Sequence, residues 1–483
     1  MCKMVGMNKG IKIIFMFFIL VFSAFFLSGC TNSEEKLSEY NRIISDSDTL
    51  IEGRQYTLAV EKLSNASELI PSKRDAFERM IKIFVSKNRM EDASKIIEES
   101  AGQLSQDDRA VLYSVIGDGY YETKNYEKAL YSYQLADGML SNYKPSSFGM
   151  AKSFLQVGQI EKARALLEEK YEGEMLIEAK LVLSYIQSMT DVQKAKETIK
   201  DVEPGEIWRD RYVQWEEVLA SINEDKLYNL AKLGKEYIDQ GYPYLAIALL
   251  EPEIGKMDEY IDGIYILGKA YFENGQYQKS VDLLESTSSL GDLNQYIYWV
   301  LARDYFLLKD INSSTAYYDS AIAYSATKGE YLLYTEYLDI LIEGNLTEKA
   351  LEVMRNGEKV FVDDNWVSLY YMYIYSLRSD TEKFSYYMNR IEYEDLDSIF
   401  KANYLYSKGD FLIKNNQLED AQKVLDIFWE LDQYEPRYNL LVARLNFENG
   451  DIEKAREYAK KCIEFDLNGI VSKEAQSLLA QID

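Results

Sequence analysis

Residues 266–285 read ILGKAYFENGQYQKSVDLLE. Almost the same pattern occurs at residues 232–251, KLGKEYIDQGYPYLAIALLE, and again at residues 300–319, VLARDYFLLKDINSSTAYYD. Successive segments begin 34 residues apart. A period of this length, with apolar residues at helical spacing, predicts an array of helix–turn–helix units rather than one globular core.

The residues at fixed positions of the repeat explain how two helices can pack. The repeat is numbered so that Gly268 stands at position 8, which Gly234 and Ala302 fill in the flanking repeats. A small residue there lets two antiparallel helices cross closely, and large residues fill the remaining space. The large positions 7, 11 and 24 are Leu267, Tyr271 and Leu284.

The same register recurs from about residue 40 to residue 483, with small insertions near residues 105, 325, 360 and 395. On these positions the chain resembles the tetratricopeptide repeat family. The resemblance implies an all-α fold, an α-solenoid wound as a right-handed superhelix of about eleven or twelve repeats. Three repeats depart from the pattern, because Ile81, Leu338 and Tyr373 stand at position 8.

The period breaks once, and the break predicts the domain organisation. Residues 176–200 match the repeat poorly, residues 201–206 read DVEPGE, and residues 207–220 predict a helix outside the register. We therefore predict an amino-terminal array at residues 40–200, a helical joint at residues 201–226, and a carboxy-terminal array at residues 227–483.

The amino terminus has the composition of a targeting signal. Lysines precede an apolar run at residues 13–27, which is shorter than a membrane span and fits a secretory signal. Residues 27–30, LSGC, resemble the lipobox of bacterial lipoproteins, in which the cysteine carries the lipid. The resemblance implies a signal peptide at residues 1–29, lipidation at Cys30, a polar tether at residues 30–39, and a lipid anchor on the extracytoplasmic face of a bacterial cell membrane. An uncleaved anchor helix is the alternative.

Composition excludes several kinds of chemistry. The chain has no histidine, which removes histidine-dependent triads, histidine-ligated zinc and the usual general base near neutral pH. Its formal net charge of −26 argues against nucleic acid as a partner. Cys462 stands at a small, buried repeat position and is interpreted as a packing residue. We expect no catalytic, cofactor or metal site, and we do not expect an enzyme.

A candidate binding surface follows from the resemblance. In tetratricopeptide proteins, positions 2, 5, 9, 12 and 13 of the first helix line a concave groove. Position 9 is Lys235, Lys269 and Arg303 in three successive repeats. The aromatic residues predicted around this basic ladder are Tyr228, Tyr265, Phe272, Tyr296, Trp299 and Phe306, together with Ile238.

Such a ladder suits an acidic or carboxylate-bearing peptide. The family's carboxylate clamp cannot be carried over, because position 5 is Ala231, Tyr265 and Trp299 in these repeats. The alternative is ordinary surface charge, in which the three bases pair with the nearby acids Glu236, Glu273 and Asp304.

These observations together predict a binding protein of the bacterial envelope. The first hypothesis is a membrane-anchored scaffold for partner proteins or peptides, acting in their assembly, secretion or regulation. The second is a solute- or glycan-binding lipoprotein that acts beside a transporter or a wall enzyme. The third is a carboxylate-dependent glycan-cleaving enzyme, for which the repeats leave no separate catalytic domain. The sequence does not indicate an oligomeric state.

Overall fold

The computed structural model describes residues 34–52, 56–169, 171–257, 260–287, 294–325, 331–358, 364–432, 435–466 and 471–482. Within these ranges the chain forms α-helices and two short 3-10 helices but no β-strand, which confirms the predicted all-α fold. Residue contacts divide the chain into two compact units, one ending at Phe154 and the other beginning at Leu155. The predicted signal peptide and Cys30 lie outside the described residues.

The first unit consists of antiparallel helices joined by short turns. Its helices are α1 (34–52), α2 (Tyr56–Leu69), α3 (Arg74–Ser86), α4 (Met90–Glu99), α5 (Gln106–Glu122), α6 (Tyr126–Met139) and α7 (Lys144–Gln156), of which the last two residues belong to the second unit.

Tyr133 shows why this unit needs small residues at the helix crossings. Its buried ring on α6 lies between two glycines, and a Cβ placed on Gly117 or Gly149 would come within 2.6 or 2.3 Å of the ring. The phenol hydroxyl donates a hydrogen bond to Asp118 Oδ1 at 2.7 Å. Burial raises the pKa of Asp118, and the bond from Tyr133 opposes that rise. The small residues thus admit a large ring and its hydrogen bond.

The second unit continues the same arrangement over a longer stretch. Its helices begin with α8 (Ile160–Leu167), α9 (Gly173–Ser188), α10 (Val192–Ile199), α11 (Gly205–Ala220), α12 (Lys226–Asp239), α13 (Pro243–Leu250), α14 (Ile261–Glu273), α15 (Tyr277–Thr287), α16 (Asn294–Leu307) and α17 (Ile311–Ser325). They continue with α18 (Tyr331–Glu343), α19 (Thr347–Gly357), α20 (Asp364–Leu377), α21 (Thr381–Met388), α22 (Ser398–Lys414), α23 (Leu418–Asp432), α24 (Pro436–Glu448), α25 (Ile452–Phe465) and α26 (Ser472–Ile482). The 3-10 segments are Glu251–Lys256 and Tyr393–Asp395.

The opening sequence, 266–285, forms the pair α14–α15 in this unit. Each described helix here mainly contacts the helices one and two places along the chain, which is the arrangement of an α-solenoid. The turns between paired helices use a left-handed residue, with φ of +83° at Gly241 and +74° at Gly275. Lys124, Lys309 and Asn416 adopt the same conformation elsewhere, so glycine is favoured there but not required.

The segment that matches the repeat poorly still forms a helical pair, α9–α10. Ser184 supplies the small residue at the crossing, and its hydroxyl donates to Ala195 O at 2.8 Å. The predicted helix outside the register is α11, which packs on α9. Its Trp215 indole donates to Ser184 Oγ at 2.8 Å, and its Tyr212 hydroxyl donates to Ile177 O at 2.7 Å. Side-chain hydrogen bonds therefore fix a helix that the repeat pattern does not place.

The carboxy-terminal helix α26 covers the last repeat pair. Cys462 is fully buried with Leu440, Val471 and Ala475, which confirms its interpretation as a packing residue. Burial raises the pKa of its thiol to about 12. Among the described residues, no helix combines the length and apolar character needed to cross a membrane.

Candidate functional site

A cavity of about 490 Å³ opens among α12, α14 and α16, on the faces of the first helices of three repeats. It is lined by aromatic and aliphatic side chains and bordered by lysines. The lining residues are Tyr228, Ala231, Lys232, Lys235, Ile238, Tyr260, Asp262, Tyr265, Ile266, Lys269 and Tyr296.

Four tyrosines give the cavity its aromatic character. Tyr228 and Tyr296 are 37% and 39% exposed, so their rings can be covered by a ligand. The Tyr265 and Tyr296 rings lie 6.3 Å apart in a tilted arrangement, and burial raises the pKa of Tyr265 to about 12. Tyr260 stands immediately before α14. The four phenol rings offer apolar faces with polar edges.

Three lysines border these rings. Lys232 Nζ donates to the Tyr228 hydroxyl at 3.3 Å and lies 5.6 Å from the centre of that ring. Lys235 Nζ lies 2.5 Å from Asp239 Oδ2, and Lys269 Nζ lies 3.8 Å from Asp239 Oδ1. Asp262 also lines the cavity, so its charged lining residues are three lysines and one aspartate, with Asp239 beside two of the lysines. This local balance is opposite in sign to that of the whole chain.

Arg303, the third base of the predicted ladder, is part of a bridge between repeats. Its guanidinium donates to Glu336 through Nε and Nη2, both at 2.7 Å, and the Trp299 indole donates to the same carboxylate at 2.9 Å. The guanidinium also lies 4.5 Å from the Trp299 ring and 5.9 Å from the Phe272 ring. Burial alone would lower the pKa of Arg303, but the bonds with Glu336 outweigh it and raise the pKa.

The structure brings together five of the nine predicted groove residues around the cavity, as well as Ile238. The five are Tyr228, Lys235, Tyr265, Lys269 and Tyr296. Phe272, Trp299 and Arg303 form the neighbouring bridge, and Phe306 lies 5.5 Å from Lys309 Nζ. None of these four lines the cavity.

Sequence reasoning missed several lining residues. Lys232 precedes Lys235 by three residues, and this helical spacing was the signal that could have found it. Tyr260 follows the 3-10 segment, outside any helix, so helical periodicity could not place it.

Two of the three acids named in the alternative pairing, Glu236 and Asp304, are not the ion-pair partners of Lys235 and Arg303. Lys235 pairs with Asp239, whereas Glu236 is buried and accepts hydrogen bonds from Gln214 and Gln240 at 2.9 and 2.8 Å. Arg303 pairs with Glu336. Asp304, on the same helix, is fully buried. Lys235 and Lys269 thus share Asp239, and their side chains are 66% and 32% exposed.

Among the described residues, no group of three or more histidine, cysteine or acidic side chains is arranged to hold a metal ion. The arrangement offers instead a pocket for an apolar side chain beside a positively charged border.

No protein-family model matches the chain, and no curated protein matches its sequence. Among solved structures, the chain is similar to a tetratricopeptide repeat protein from Parabacteroides merdae, with 15% identity, coverage of 53% of this chain and 98% of that one, and a TM-score of 0.42. It is similar to yeast Tom70 at 12% identity, over 92% and 96% of the two chains, with a TM-score of 0.37. It is also similar to YrrB, a tetratricopeptide repeat protein with an unusual peptide-binding site, at 13% identity, over 50% of this chain and 96% of that one, with a TM-score of 0.22.

Proposed function

We propose that this chain is a non-catalytic scaffold that binds partner proteins through short acidic segments. The observation that carries the proposal is the cavity among α12, α14 and α16, where four tyrosines and three lysines converge. An aromatic or aliphatic side chain of the partner enters between the rings. A neighbouring carboxylate of the partner meets the ammonium groups of Lys235 and Lys269.

The fold supports this role because the side chains of the site stand on helices that pack against one another. Tyr228 is held by the first turn of α12, where its backbone N–H donates to the capping Asp225 at 3.1 Å. Tyr265 and Lys269 are one helical turn apart on α14. A preformed surface loses little conformational freedom on binding, so more of the contact energy contributes to affinity.

Selection from a displayed peptide library tests the proposal. We expect the natural chain to enrich peptides in which Glu or Asp neighbours an aromatic or large aliphatic residue. The double variant Lys235→Glu with Lys269→Glu should abolish this enrichment, because it reverses the charge at the border of the cavity.

Lys454→Glu with Lys460→Glu is the matched control. Both lysines are exposed on α25, away from the cavity lining, and the change in net charge is the same. Equal enrichment by the natural chain and the cavity variant would refute the proposal. Arg303 is left unchanged because its reversal would break the bridge to Glu336.

We further propose that the scaffold is lipid-anchored through Cys30 on the extracytoplasmic face of a bacterial membrane. The support is the LSGC sequence after an apolar run and basic residues. The natural chain should incorporate a clickable fatty acid during growth, and Cys30→Ala should not, because the thiol is the site of lipid attachment. Labelling that persists in Cys30→Ala would contradict the lipid anchor, whereas an uncleaved helix would leave both proteins unlabelled and membrane-bound.

A further inference from the structure

Asp239 connects the two lysines that border the cavity. Its carboxylate lies 2.5 Å from Lys235 Nζ and 3.8 Å from Lys269 Nζ, so one acid joins bases of two successive repeats. The side chain is 29% exposed and does not itself line the cavity. The carboxylate therefore stands at the border, where a ligand's carboxylate would have to bind.

A contribution to the stability of α12 does not explain why an acid stands at position 239. Asp239 is the last residue of α12, where a negative charge opposes the helix dipole. Lys235 precedes it by four residues, and a base before an acid at this spacing is the less favourable order. The lysine side chain is also 66% exposed, and exposed ion pairs contribute little to stability. A neutral side chain at this position should fold equally well.

We propose that Asp239 is a built-in competitor of the ligand, holding the position that a ligand's carboxylate takes. This inference rests on the proposed peptide-binding function of the cavity. The ligand it implies is a peptide with an Asp or Glu beside an aromatic side chain. The aromatic side chain enters the cavity beside the Tyr265 and Tyr296 ring pair, and the carboxylate displaces Asp239 from Lys235 and Lys269.

The competitor sets a threshold for binding. A single weakly placed carboxylate gains little, because it must replace an existing ion pair. A peptide gains enough only when its aromatic side chain fills the cavity at the same time. Asp239 thereby makes the site selective for the combination of acid and aromatic ring rather than for negative charge alone.

Fluorescence anisotropy with a labelled peptide, Gly-Glu-Phe-Glu-Gly, tests the inference. Asp239→Asn should bind this probe about 3- to 10-fold more tightly than the natural chain at low salt, because removal of the anion leaves two unpaired ammonium groups. The gain should shrink at high salt, where charge interactions are screened. The probe with Gln in place of both Glu residues should show less than about a 2-fold change.

Glu457→Gln is the matched control variant. Glu457 lies on α25, and its Oε1 is 2.6 Å from Lys461 Nζ. Its replacement by Gln changes the net charge by the same amount as Asp239→Asn, at a place outside the cavity lining. It should leave the affinity unchanged. Asp239→Ser should reproduce the gain seen with Asn, and a thermal unfolding curve checks that both variants are folded.

The outcomes separate the inference from the function on which it rests. Tighter binding of the acidic probe by both Asp239 variants supports the competitor. Equal or weaker binding by folded variants, with the natural chain binding the probe, would show that Asp239 positions the lysines and would overturn the inference alone. If no protein binds the probe, the proposed function and the inference both fail.

Discussion

At the residue scale, Asp304 is the side chain whose environment is least expected. It follows Arg303 on α16, yet it is fully buried, and among the described residues neither carboxylate oxygen has a hydrogen-bond partner. The nearby Ser280 hydroxyl donates instead to Gly268 O at 3.0 Å. Burial raises the pKa of Asp304 from 3.8 to about 7. The folded chain thus favours the protonated acid.

This environment predicts a stability that depends on pH. Between about pH 4 and pH 7 the folded state keeps the Asp304 proton that the unfolded state releases, so the free energy of unfolding falls as pH rises. The loss should be on the order of 4 kcal/mol and should level off above the folded pKa. Urea unfolding of the natural chain and of Asp304→Asn across this pH range measures the loss, because the amide of the variant does not titrate.

Asp310 should contribute a dependence of stability on pH that is opposite in sign to that of Asp304. Hydrogen bonds from the Ser313 hydroxyl and backbone N–H, at 2.7 and 3.1 Å, lower its pKa. Its contribution to stability should therefore be present above about pH 4 and be lost as pH falls further. If the stability difference between the natural chain and Asp304→Asn stays constant from pH 4 to pH 8, the buried acid is not the cause.

At the element scale, the crossing of paired helices depends on what stands at position 8. Leu284 on α15 packs over Gly268 on α14, and a Cβ on that glycine would lie 2.5 Å from Leu284 Cδ2. Leu284 is fully buried with Val281 and Leu301, so it cannot move aside freely. In other pairs Ile81 and Leu338 stand at this position and are themselves fully buried. The array therefore tolerates more than one way of filling the crossing.

Gly268→Ala should lower the free energy of unfolding by about 1–2 kcal/mol. Overpacking against Leu284 costs more than the helix gains from alanine. Gly138→Ala, on α6, is the matched control, because no atom lies within 4 Å of its added Cβ. It should raise stability by up to about 1 kcal/mol. Hydrogen exchange in peptides covering α14–α15 and α5–α6 measures the two changes in stability. If both variants were stabilised, or both destabilised, the packing argument would be contradicted.

The helix pairs could be predicted from the sequence because position 8, position 11 and the turn glycines repeat every 34 residues. The pair α9–α10 could not, since Ser184 stands where the clear repeats have glycine or alanine and makes its own hydrogen bond. In the candidate site, the groove positions implied by the family resemblance pointed to Lys235 and Lys269, which line the cavity. They could not show that Arg303 is held by Glu336, because that acid lies one repeat later and its direction depends on tertiary packing.

At the scale of the whole molecule, a positively bordered cavity lies in a chain of net charge −26. Two opposing forces therefore act on an acidic ligand. Repulsion from the body of the protein acts at long range during approach, and attraction to Lys235 and Lys269 acts at contact. Salt screens both, but it acts most strongly on charges separated by more than the Debye length, about 30 Å at 10 mM and about 3 Å at 1 M salt.

Salt should therefore accelerate both the association and the dissociation of an acidic peptide. We expect the association rate constant to rise several-fold between about 10 mM and 0.5 M salt, because screening removes the repulsion during approach. The dissociation rate constant should rise as the contacts with the lysines weaken. Stopped-flow anisotropy with the Glu-containing probe measures both, and the Gln-containing probe should show little dependence on salt. Association that slows with added salt would mean that the local positive charge, rather than the acidic body, governs the approach.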